Sequence, residues 1–435
     1  MENLLFDLTK TYGTFKPMHA VNNGPILKRH VNDQKRSNFI PFKNAHIPYA
    51  RTHDAAFELN YGSEHTVDIT AIFPNSDADP TDPSSYDFAC TDEYLEIIMD
   101  AGTKPFFRLG QKIEHYVKKY GTIPPKDFSK WAVICEHIIR HMNEGWANGH
   151  HYDIEYWEIW NEPDLDADDS PNKRTWGGTK AQFFDLFEIT AKHLKACFPQ
   201  YKIGGPALAG NEGWAADFLA AMHRREVPMD FFSWHIYCTE PIHMTDKAAR
   251  MRRLMDNNGY EKAESILNEW NYVKGWVDEY VYSIQAVIGI KGAAFTMACM
   301  TAAQKSSIDM LMYYDARPCV LNGLFDFYTQ EPLKGYYPFP WFASLMGLTE
   351  VRCAVEPEHL YTLCGMDENG KTTTIVTYYT DDDNAAPKEV HLDFGKAGKY
   401  EVTLLDKEHT AEIVGTTEAL TFTMPVHSCI LLREI

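Results

Sequence analysis

Short apolar runs alternate with longer amphipathic stretches over residues 1–349. A short apolar run bounded by turn residues is typical of a buried strand, and a longer amphipathic stretch is typical of a helix. The pattern predicts eight strands, at Met18–Val21, Tyr49–Thr52, Pro105–Leu109, Tyr156–Trp160, Lys202–Gly204, Phe231–Ile236, Ser265–Asn268 and Ile308–Tyr313. It also predicts helices at Thr91–Ala101, Lys126–Met142, Lys180–Cys197, Trp214–Arg224, Thr245–Asn257, Glu279–Ala303 and, as a short closing helix, Trp341–Leu348.

This alternation predicts a protein of the α/β class, with a (β/α)8 TIM barrel at 1–349. The segment Ile72–Ser85 is rich in Asp, Pro and Ser, so we predict a long loop there. Beyond residue 350 apolar and polar residues alternate one by one, as in Thr373–Tyr379, which is typical of strands with one buried face. We therefore predict a C-terminal β-sandwich domain at 350–435, with which Leu4–Phe15 pairs.

Two of the predicted barrel strands lead into a glutamate. Asn161 and Glu162 follow Tyr156–Trp160, and Glu269 follows Ser265–Asn268. The glutamates are 107 residues apart, which places them on strands four and seven if each βα unit takes roughly 30–40 residues. Retaining glycoside hydrolysis needs two carboxyl groups, one to protonate the leaving oxygen and one to attack the anomeric carbon. The alternative is that each glutamate merely forms an ion pair at a strand end.

Composition narrows the classes of partner. The formal net charge of −20 argues against nucleic acid and anionic membrane, because phosphate binding needs clustered Lys and Arg. No apolar run is long enough for a transmembrane helix, and the first residues do not resemble a signal peptide. The nine cysteines include no Cys-x-x-Cys, so we expect reduced thiols and a cytoplasmic protein. The oligomeric state stays open, with a homo-oligomer among the possibilities, and no cofactor is expected.

Five motifs resemble those of glycoside hydrolase family 39, which holds β-xylosidases and α-L-iduronidases. They are Arg-Thr-His at 51–53, Trp-Asn-Glu-Pro at 160–163, Gly-Gly-Pro-Ala at 204–207, Ser-Trp-His-Ile-Tyr at 233–237 and Asn-Glu-Trp-Asn at 268–271. The resemblance implies a barrel followed by a β-module, with Glu162 as acid/base and Glu269 as nucleophile. It also implies that Asn161 binds the sugar 2-hydroxyl and that Tyr237 donates a hydrogen bond to Glu269.

Further residues are candidates for sugar binding. His235 lies two residues before Tyr237 on the same strand face, and His53 follows strand two, so both are candidate hydroxyl partners, with structural roles as the alternative. Trp270 is the aromatic residue that we expect to offer a stacking face, although buried aromatics at barrel strands are more often core.

The chain departs from the family's xylosidases after strand eight. Those enzymes carry a Trp-containing stretch followed by acidic residues that bind sugar hydroxyls, whereas this chain reads Met-Tyr-Tyr-Asp-Ala-Arg-Pro at 312–318. Tyr314 and Asp315 are candidates to recognise hydroxyls instead. Arg317 could bind a substrate carboxylate or pair with Asp315, and we favour the pair. Xylose specificity therefore does not follow from the resemblance.

Three functional hypotheses remain. The first is a retaining exo-glycosidase of the β-xylosidase type that acts on short oligosaccharides. The second keeps the mechanism but assigns another glycone, such as an arabinopyranoside, a galactoside or a uronate. The third is a carbohydrate-binding protein without catalysis, against which the intact glutamate pair argues.

A metal site is not expected from the sequence. The pair His150-His151 and the helical pair His137 and His141 invite a zinc interpretation, but no third ligand stands at a suitable spacing. We therefore expect surface or packing roles for these histidines. The run of aspartates after Pro163 departs from the EF-hand pattern, because Asp169 stands where that pattern needs Gly. We expect that run to be a loop at the rim of the site.

Overall fold

Eight parallel strands close into a barrel in the computed structural model, which describes residues 1–26, 37–53, 66–319 and 321–435. The barrel strands are β2 (Ala20–Asn22), β3 (Tyr49–Arg51), β4 (Lys104–Leu109), β5 (Tyr156–Ile159), β6 (Lys202–Leu208), β7 (Phe231–Cys238), β8 (Glu264–Tyr272) and β9 (Met310–Tyr313). Each strand pairs with the next in the chain, and β9 closes the barrel on β2. All eight predicted strands are confirmed, as is the TIM-barrel fold.

Helices cover the outside of the barrel. They are α1 (Phe39–Asn44), α2 (Ile69–Ile72), α3 (Ala89–Asp100), α4 (Phe128–Glu144), α5 (Lys180–Cys197), α6 (Glu212–Arg224), α7 (Pro241–Asn257), α8 (Tyr280–Val287), α9 (Ile290–Gln304) and α10 (Pro338–Ala343). Helix α5 starts with a capping box between Thr179 and Gln182, and α4 starts at Asp127, whose carboxylate accepts two backbone N–H groups.

The prediction of one continuous helix over Glu279–Ala303 is wrong. The segment forms two helices, α8 and α9, that meet at 77°. Gly292 allows this close meeting, because a Cβ atom there would lie 2.3 Å from the Val287 carbonyl oxygen. No single helix among the described residues is long and apolar enough to cross a membrane, although this bent pair would pass on length and composition together.

The barrel interior changes from apolar side chains to a layer of buried polar side chains toward the carboxyl ends of the strands. Below that level the interior is packed with apolar side chains, among them Phe106, Phe231 and Ile266. Above them lie the buried polar side chains of Asn22, Arg51, Glu158, Ser233 and Asn268. These groups stand toward the carboxyl ends of the strands, where barrel enzymes place their active sites.

A second sheet of nine strands is formed by one strand before the barrel and eight strands after it. Its strands are β1 (Glu2–Thr14), β10 (Thr349–Cys353), β11 (Leu360–Met366), β12 (Thr372–Tyr378), β13 (Lys388–Asp393), β14 (Tyr400–Leu405), β15 (Thr410–Thr417), β16 (Thr421–Met424) and β17 (Ser428–Glu434). Their order is β15-β14-β17-β12-β11-β10-β1-β13-β16. The sheet is mixed, because β1 pairs antiparallel with β10 and parallel with β13.

The first strand therefore belongs to the second sheet, as predicted for Leu4–Phe15. The predicted division of the chain had included residues 2–14 in the barrel segment. Leu4 and Phe6 of β1 pack with Val390, Leu392 and other apolar residues in a core separate from that of the barrel.

Helix α9 joins the two parts of the protein. The ammonium group of Lys291 is almost fully buried and lies 2.8 Å from a carboxylate oxygen of both Asp381 and Asp383. Burial alone would lower the pKa of Lys291, but hydrogen bonds with Asp381, Asp383 and Tyr282 outweigh it and raise that pKa to about 12. The buried cation is thus held by groups of the second sheet and its loops.

Replacing Lys291 by Ala should lower the melting temperature by several degrees, because two carboxylates lose a buried partner. Lys274→Ala is the matched control, since Lys274 lies 3.0 Å from Asp381 but is 40% exposed. Differential scanning calorimetry of both variants measures the effect. Equal and small shifts in the two variants would contradict a stabilising role for the buried pair.

Candidate active site

Glu162 and Glu269 stand at the carboxyl ends of β5 and β8. Glu162 lies three residues beyond β5, in a left-handed conformation with φ of 49°. Its backbone N–H donates to the Ala207 carbonyl at 2.8 Å, and its carbonyl accepts from the Thr175 hydroxyl at 2.5 Å. A left-handed glutamate is uncommon, and such conformations persist where the surrounding structure enforces them.

A bulge in β8 directs Glu269 into the barrel. In the pairing of β7 with β8, Trp234 faces Leu267 and His235 faces Glu269, so that β8 contains one extra residue, Asn268. Consecutive residues of a regular strand point to opposite faces. Here Asn268 donates to Glu158 and Glu269 accepts from Tyr237, so both side chains face the interior.

His235 lies between the two glutamates. Its Nδ1 is 2.8 Å from Glu162 Oε1 and 3.6 Å from Glu269 Oε2. One ring nitrogen of His235 and one carboxylate oxygen of each glutamate all lie within 4.8 Å of one another. The carboxyl groups are therefore close enough to face a single bond of a ligand from two sides.

The carboxylate of Glu269 is surrounded by donors. Tyr237 donates its hydroxyl proton to Oε1 at 2.6 Å, while Arg51 Nη1 and His53 Nε2 lie 3.5 and 3.6 Å from Oε2. Burial raises the pKa of Glu269 to about 7, and the charge of Glu162 acts in the same direction. His235, Arg51 and the Tyr237 hydrogen bond oppose that rise. The donors thus limit a pKa that burial raises.

His235 is neutral near pH 7. Burial lowers its pKa to about 4, with Arg51 acting in the same direction and Glu269 against it. Within the described residues its Nε2 atom is buried and has no hydrogen-bond partner. The backbone carbonyl of His235 accepts a hydrogen bond from Lys247 at 2.7 Å, which fixes the end of β7.

Arg51 organises the site, and the set of candidate residues derived from the sequence does not include it. Its Nε donates to Glu158 at 2.7 Å, its Nη2 donates to Asn161 Oδ1 at 2.7 Å, and its Nη1 donates to Asn22 at 3.0 Å. Glu158 also accepts from Ser233 at 2.6 Å. The sequence did contain a signal for this role, because Arg51 and Glu158 are charged residues within two apolar strands. Buried charges are rare unless they are paired.

The side chain of Asn161 is held through its amide oxygen. Its Oδ1 accepts from Arg51, which orients the Nδ2 group. That Nδ2 group is buried and has no hydrogen-bond partner among the described residues. A buried donor of this kind is costly unless a ligand or water accepts from it.

Of the candidate residues after β9, Tyr314 lies beside the site, whereas Asp315 and Arg317 pair with each other. Tyr314 lies near the site, with its ring edge-on to that of His53 at a centroid distance of 5.9 Å. Asp315 is fully buried, accepts from the backbone N–H of Arg317 at 2.6 Å and pairs with the Arg317 guanidinium at 3.2 Å. The favoured pairing of Arg317 with Asp315 is confirmed. Asn23 also donates to Asp315, at 3.0 Å.

Trp270 does not reach the site, so its expected stacking role is wrong. Because Glu269 faces inward, Trp270 faces outward and packs against Phe295 of α9 at a centroid distance of 5.9 Å. Another indole, Trp276, lies edge-on to Tyr237 at 4.9 Å and is 56% exposed. Trp276 stands in a loop after β8, where no strand period indicates its direction.

In the aspartate run after Pro163, the carboxylates of Asp164 and Asp166 are bound by neighbouring residues of the protein. Asp164 accepts from the backbone N–H groups of Ala209, Gly210 and Asn211 at 2.7–3.1 Å. Asp166 forms a forked ion pair with Arg174 at 2.8–3.2 Å. The loop that directly follows Glu162 is thereby bonded to the residues after β6.

An eight-stranded α/β barrel with two facing carboxyl groups at its mouth is an architecture that enzymes use to cleave glycosidic bonds. The sequence model described as "Glycosyl hydrolases family 39" matches residues 22–302, which include both glutamates. The chain belongs to this family.

Relatives of known structure share the whole fold. A glucosidase from Croceicoccus marinus superposes with a TM-score of 0.78 at 19% identity, covering 100% of this chain and 99% of that one. A monomeric β-xylosidase from Caulobacter crescentus CB15 gives a TM-score of 0.70 at 16% identity, with coverage of 100% and 99%. These likenesses establish the fold.

Sequence similarity to a curated relative covers a shorter region. A β-xylosidase of Geobacillus stearothermophilus is 28% identical over 190 residues, which is 40% of this chain and 35% of the relative. The match thus spans about a third of that relative's length.

Tyr237→Phe should raise the pKa of Glu269 above about 7, because the lost hydrogen bond is one that lowers it. Isotope-edited infrared titration of the glutamate carboxylates measures this pKa directly. Tyr272→Phe is the matched control, since the Tyr272 hydroxyl donates to Asp381 instead. An unchanged titration in Tyr237→Phe would contradict the contribution of this hydrogen bond.

Proposed function

We propose that the protein is a retaining exo-glycosidase that hydrolyses O-glycosidic bonds of short oligosaccharides, in the manner of a β-xylosidase. The observation that carries this proposal is the close approach of the two carboxyl groups, since one oxygen of Glu162 and one oxygen of Glu269 lie within 4.8 Å of each other. Retaining enzymes hold the two groups about 5–5.5 Å apart, whereas inverting enzymes leave about 6.5–9.5 Å for a water molecule. The spacing supports double displacement through a covalent glycosyl-enzyme.

Glu269 is the proposed nucleophile. It must be ionised to attack the anomeric carbon, and the donors Tyr237, Arg51 and His53 around its oxygens favour that state. The same donors orient the carboxylate, since Tyr237 contacts one oxygen and leaves the other facing His235 and Arg51.

Glu162 is the proposed acid and base. It protonates the leaving oxygen in the first step and then deprotonates the water that releases the sugar. The neutral ring of His235, 2.8 Å away, can either donate a hydrogen bond to the Glu162 carboxylate or accept one from its protonated form. This contact therefore fits both protonation states that the two steps require.

Four further residues are proposed to bind the sugar. The Nδ2 group of Asn161, which has no hydrogen-bond partner in the described part of the chain, suits a hydroxyl next to the anomeric carbon, an interaction that strengthens in the transition state. His53 and Tyr314 line the same side of the pocket and offer polar groups for other hydroxyls. Trp276 replaces Trp270 as the proposed stacking surface, because it is exposed beside Tyr237.

The principal alternative is that the same two glutamates act on a glycoside of another sugar. Structural neighbours include an α-L-arabinofuranosidase from Thermotoga maritima with a TM-score of 0.69, and the glucosidase described above. The pair between Arg317 and Asp315 argues against a uronate held by Arg317. A panel of aryl xylosides, glucosides, galactosides and arabinosides of both anomers tests the alternatives. No turnover on any of them would favour a carbohydrate-binding protein.

Glu269→Gln should abolish nearly all turnover while leaving ground-state binding largely intact, because covalent attack matters only in the transition state. Mass spectrometry of the wild-type protein after treatment with a 2-deoxy-2-fluoro glycoside identifies the labelled peptide. The label is expected on the peptide that contains Ser265–Asn271. A label elsewhere, or a product of inverted configuration, would overturn the assignment.

Glu162→Gln should slow hydrolysis of substrates with poor leaving groups by about 10²–10⁴-fold and affect activated aryl glycosides far less. Only a poor leaving group needs the proton. Azide should rescue Glu162→Ala and give a glycosyl azide of retained configuration. Equal losses on both kinds of substrate would mean that Glu162 is structural.

A further inference from the structure

A second cluster of ionisable groups lies in the outer helical layer and shares no residue with the glutamate site. Asp92 stands in the first turn of α3, His141 in the last turn of α4, and His150 in the segment that leads to β5. His141 Nε2 is 3.0 Å from Asp92 Oδ1, and His150 Nε2 is 3.3 Å from the same oxygen. The three atoms all lie within 4.8 Å of one another.

The hydrogen bond on the far side of His141 determines which ring nitrogen carries the proton. His141 Nδ1 lies 2.8 Å from the Trp146 carbonyl oxygen, and a carbonyl oxygen can only accept. Nδ1 is therefore protonated, and the lone pair of Nε2 in the neutral ring points toward the Asp92 carboxylate. Two lone pairs at 3.0 Å repel each other unless a cation lies between them.

That cation is either a proton or a metal ion, and the second histidine distinguishes them. One proton on His141 satisfies the contact with Asp92 but leaves His150 Nε2, a buried atom, without a hydrogen bond to any residue that the structure describes. A tetrahedral zinc ion with bonds of about 2.0–2.1 Å separates its ligand atoms by about 3.3–3.4 Å. The two histidine–carboxylate distances are close to that value.

The ligand side chains are held in place before any ion arrives. The His141 ring stacks on Phe88 with an interplanar angle of 4°, and the His150 ring stacks on Tyr152 at a centroid distance of 4.3 Å. The bond from His141 Nδ1–H to a backbone carbonyl is the usual outer contact of a metal-binding histidine, because it fixes the tautomer and the ring.

We propose that Asp92, His141 and His150 bind a divalent transition-metal ion of the zinc type, with solvent as a further ligand. Ring nitrogens of His and carboxylate oxygens of Asp are ligands that zinc accepts, and three protein ligands with one solvent molecule complete a four-coordinate site. The ion connects α3 and α4 to the segment that enters β5, the strand that leads to Glu162. Its role is to stabilise this connection and not to take part in bond cleavage.

A neighbouring trio is a weaker candidate. Glu136, His193 and Cys197 also have ligand atoms within 4.8 Å of one another. Glu136 is already engaged by Arg140 at 2.8 Å, and burial raises the pKa of the Cys197 thiol, which disfavours the thiolate that would bind a metal.

Zinc titration of untagged, chelator-stripped full-length protein tests the proposal, with the Glu269→Gln variant as background so that the glutamate site contributes less. Calorimetry should give one equivalent of bound zinc, and cobalt should give a visible absorption band. His150→Ala and Asp92→Asn should each weaken binding more than about tenfold. His151→Ala, which removes the adjacent exposed histidine, and His193→Ala are the matched controls and should bind as tightly as the background protein.

Thermal melting gives a second readout that does not depend on activity. Zinc should raise the melting temperature of the background protein and leave that of His150→Ala unchanged, since a ligand stabilises only a protein that binds it. His150 is partly exposed, so its truncation should not prevent folding. Absence of zinc binding would mean that only a proton occupies the cluster. Binding that survives His150→Ala or is lost in His193→Ala would also overturn the proposal.

Discussion

The guanidinium group of Arg51 is fully buried in the barrel, and its three nitrogens contact four residues from three strands or their ends. It touches Asn22 of β2, Glu158 of β5, Asn161 beyond β5 and Glu269 of β8. A guanidinium is planar and stays charged, so it can hold these partners in fixed directions. The positions of the proposed nucleophile and of the proposed hydroxyl-binding amide thus depend on one side chain.

The charges around Arg51 explain why the site can retain a proton. Glu158, Glu162 and Glu269 are three carboxyl groups near one permanent cation, and burial keeps His235 neutral. If all three carboxyl groups were ionised, the buried cluster would carry an excess of negative charge, which a poorly solvated interior disfavours. Glu158 directly contacts the Arg51 guanidinium, and burial raises the pKa of Glu269, so we expect the excess to be relieved within the facing pair. The two facing groups titrate together, as a coupled pair.

The sequence predicted those parts of the molecule that depend on local pattern. Apolar period and turn residues located every barrel strand, and the position of Glu162 and Glu269 after two of them predicted a shared rim. It did not predict the central role of Arg51, because its partner Glu158 is 107 residues away and a buried charge can be judged only with its partner. The stacking role of Trp270 was misjudged because β8 continues beyond Glu269 to Tyr272, so the side chain after Glu269 points away from the site.

The position of β1 has a consequence for the order in which the chain can assemble. This strand lies between β10 and β13, so a strand made before the barrel is needed inside a sheet whose other strands are made after it. During synthesis the barrel segment can collapse while β1 still lacks both neighbours, with its backbone groups and with Leu4 and Phe6 uncovered. A barrel separated from the rest of the chain after residue 349 would keep that uncovered strand permanently. Residues 2–14 and 349–434 thus form one sheet, and the barrel is an insertion between its first two strands in the chain.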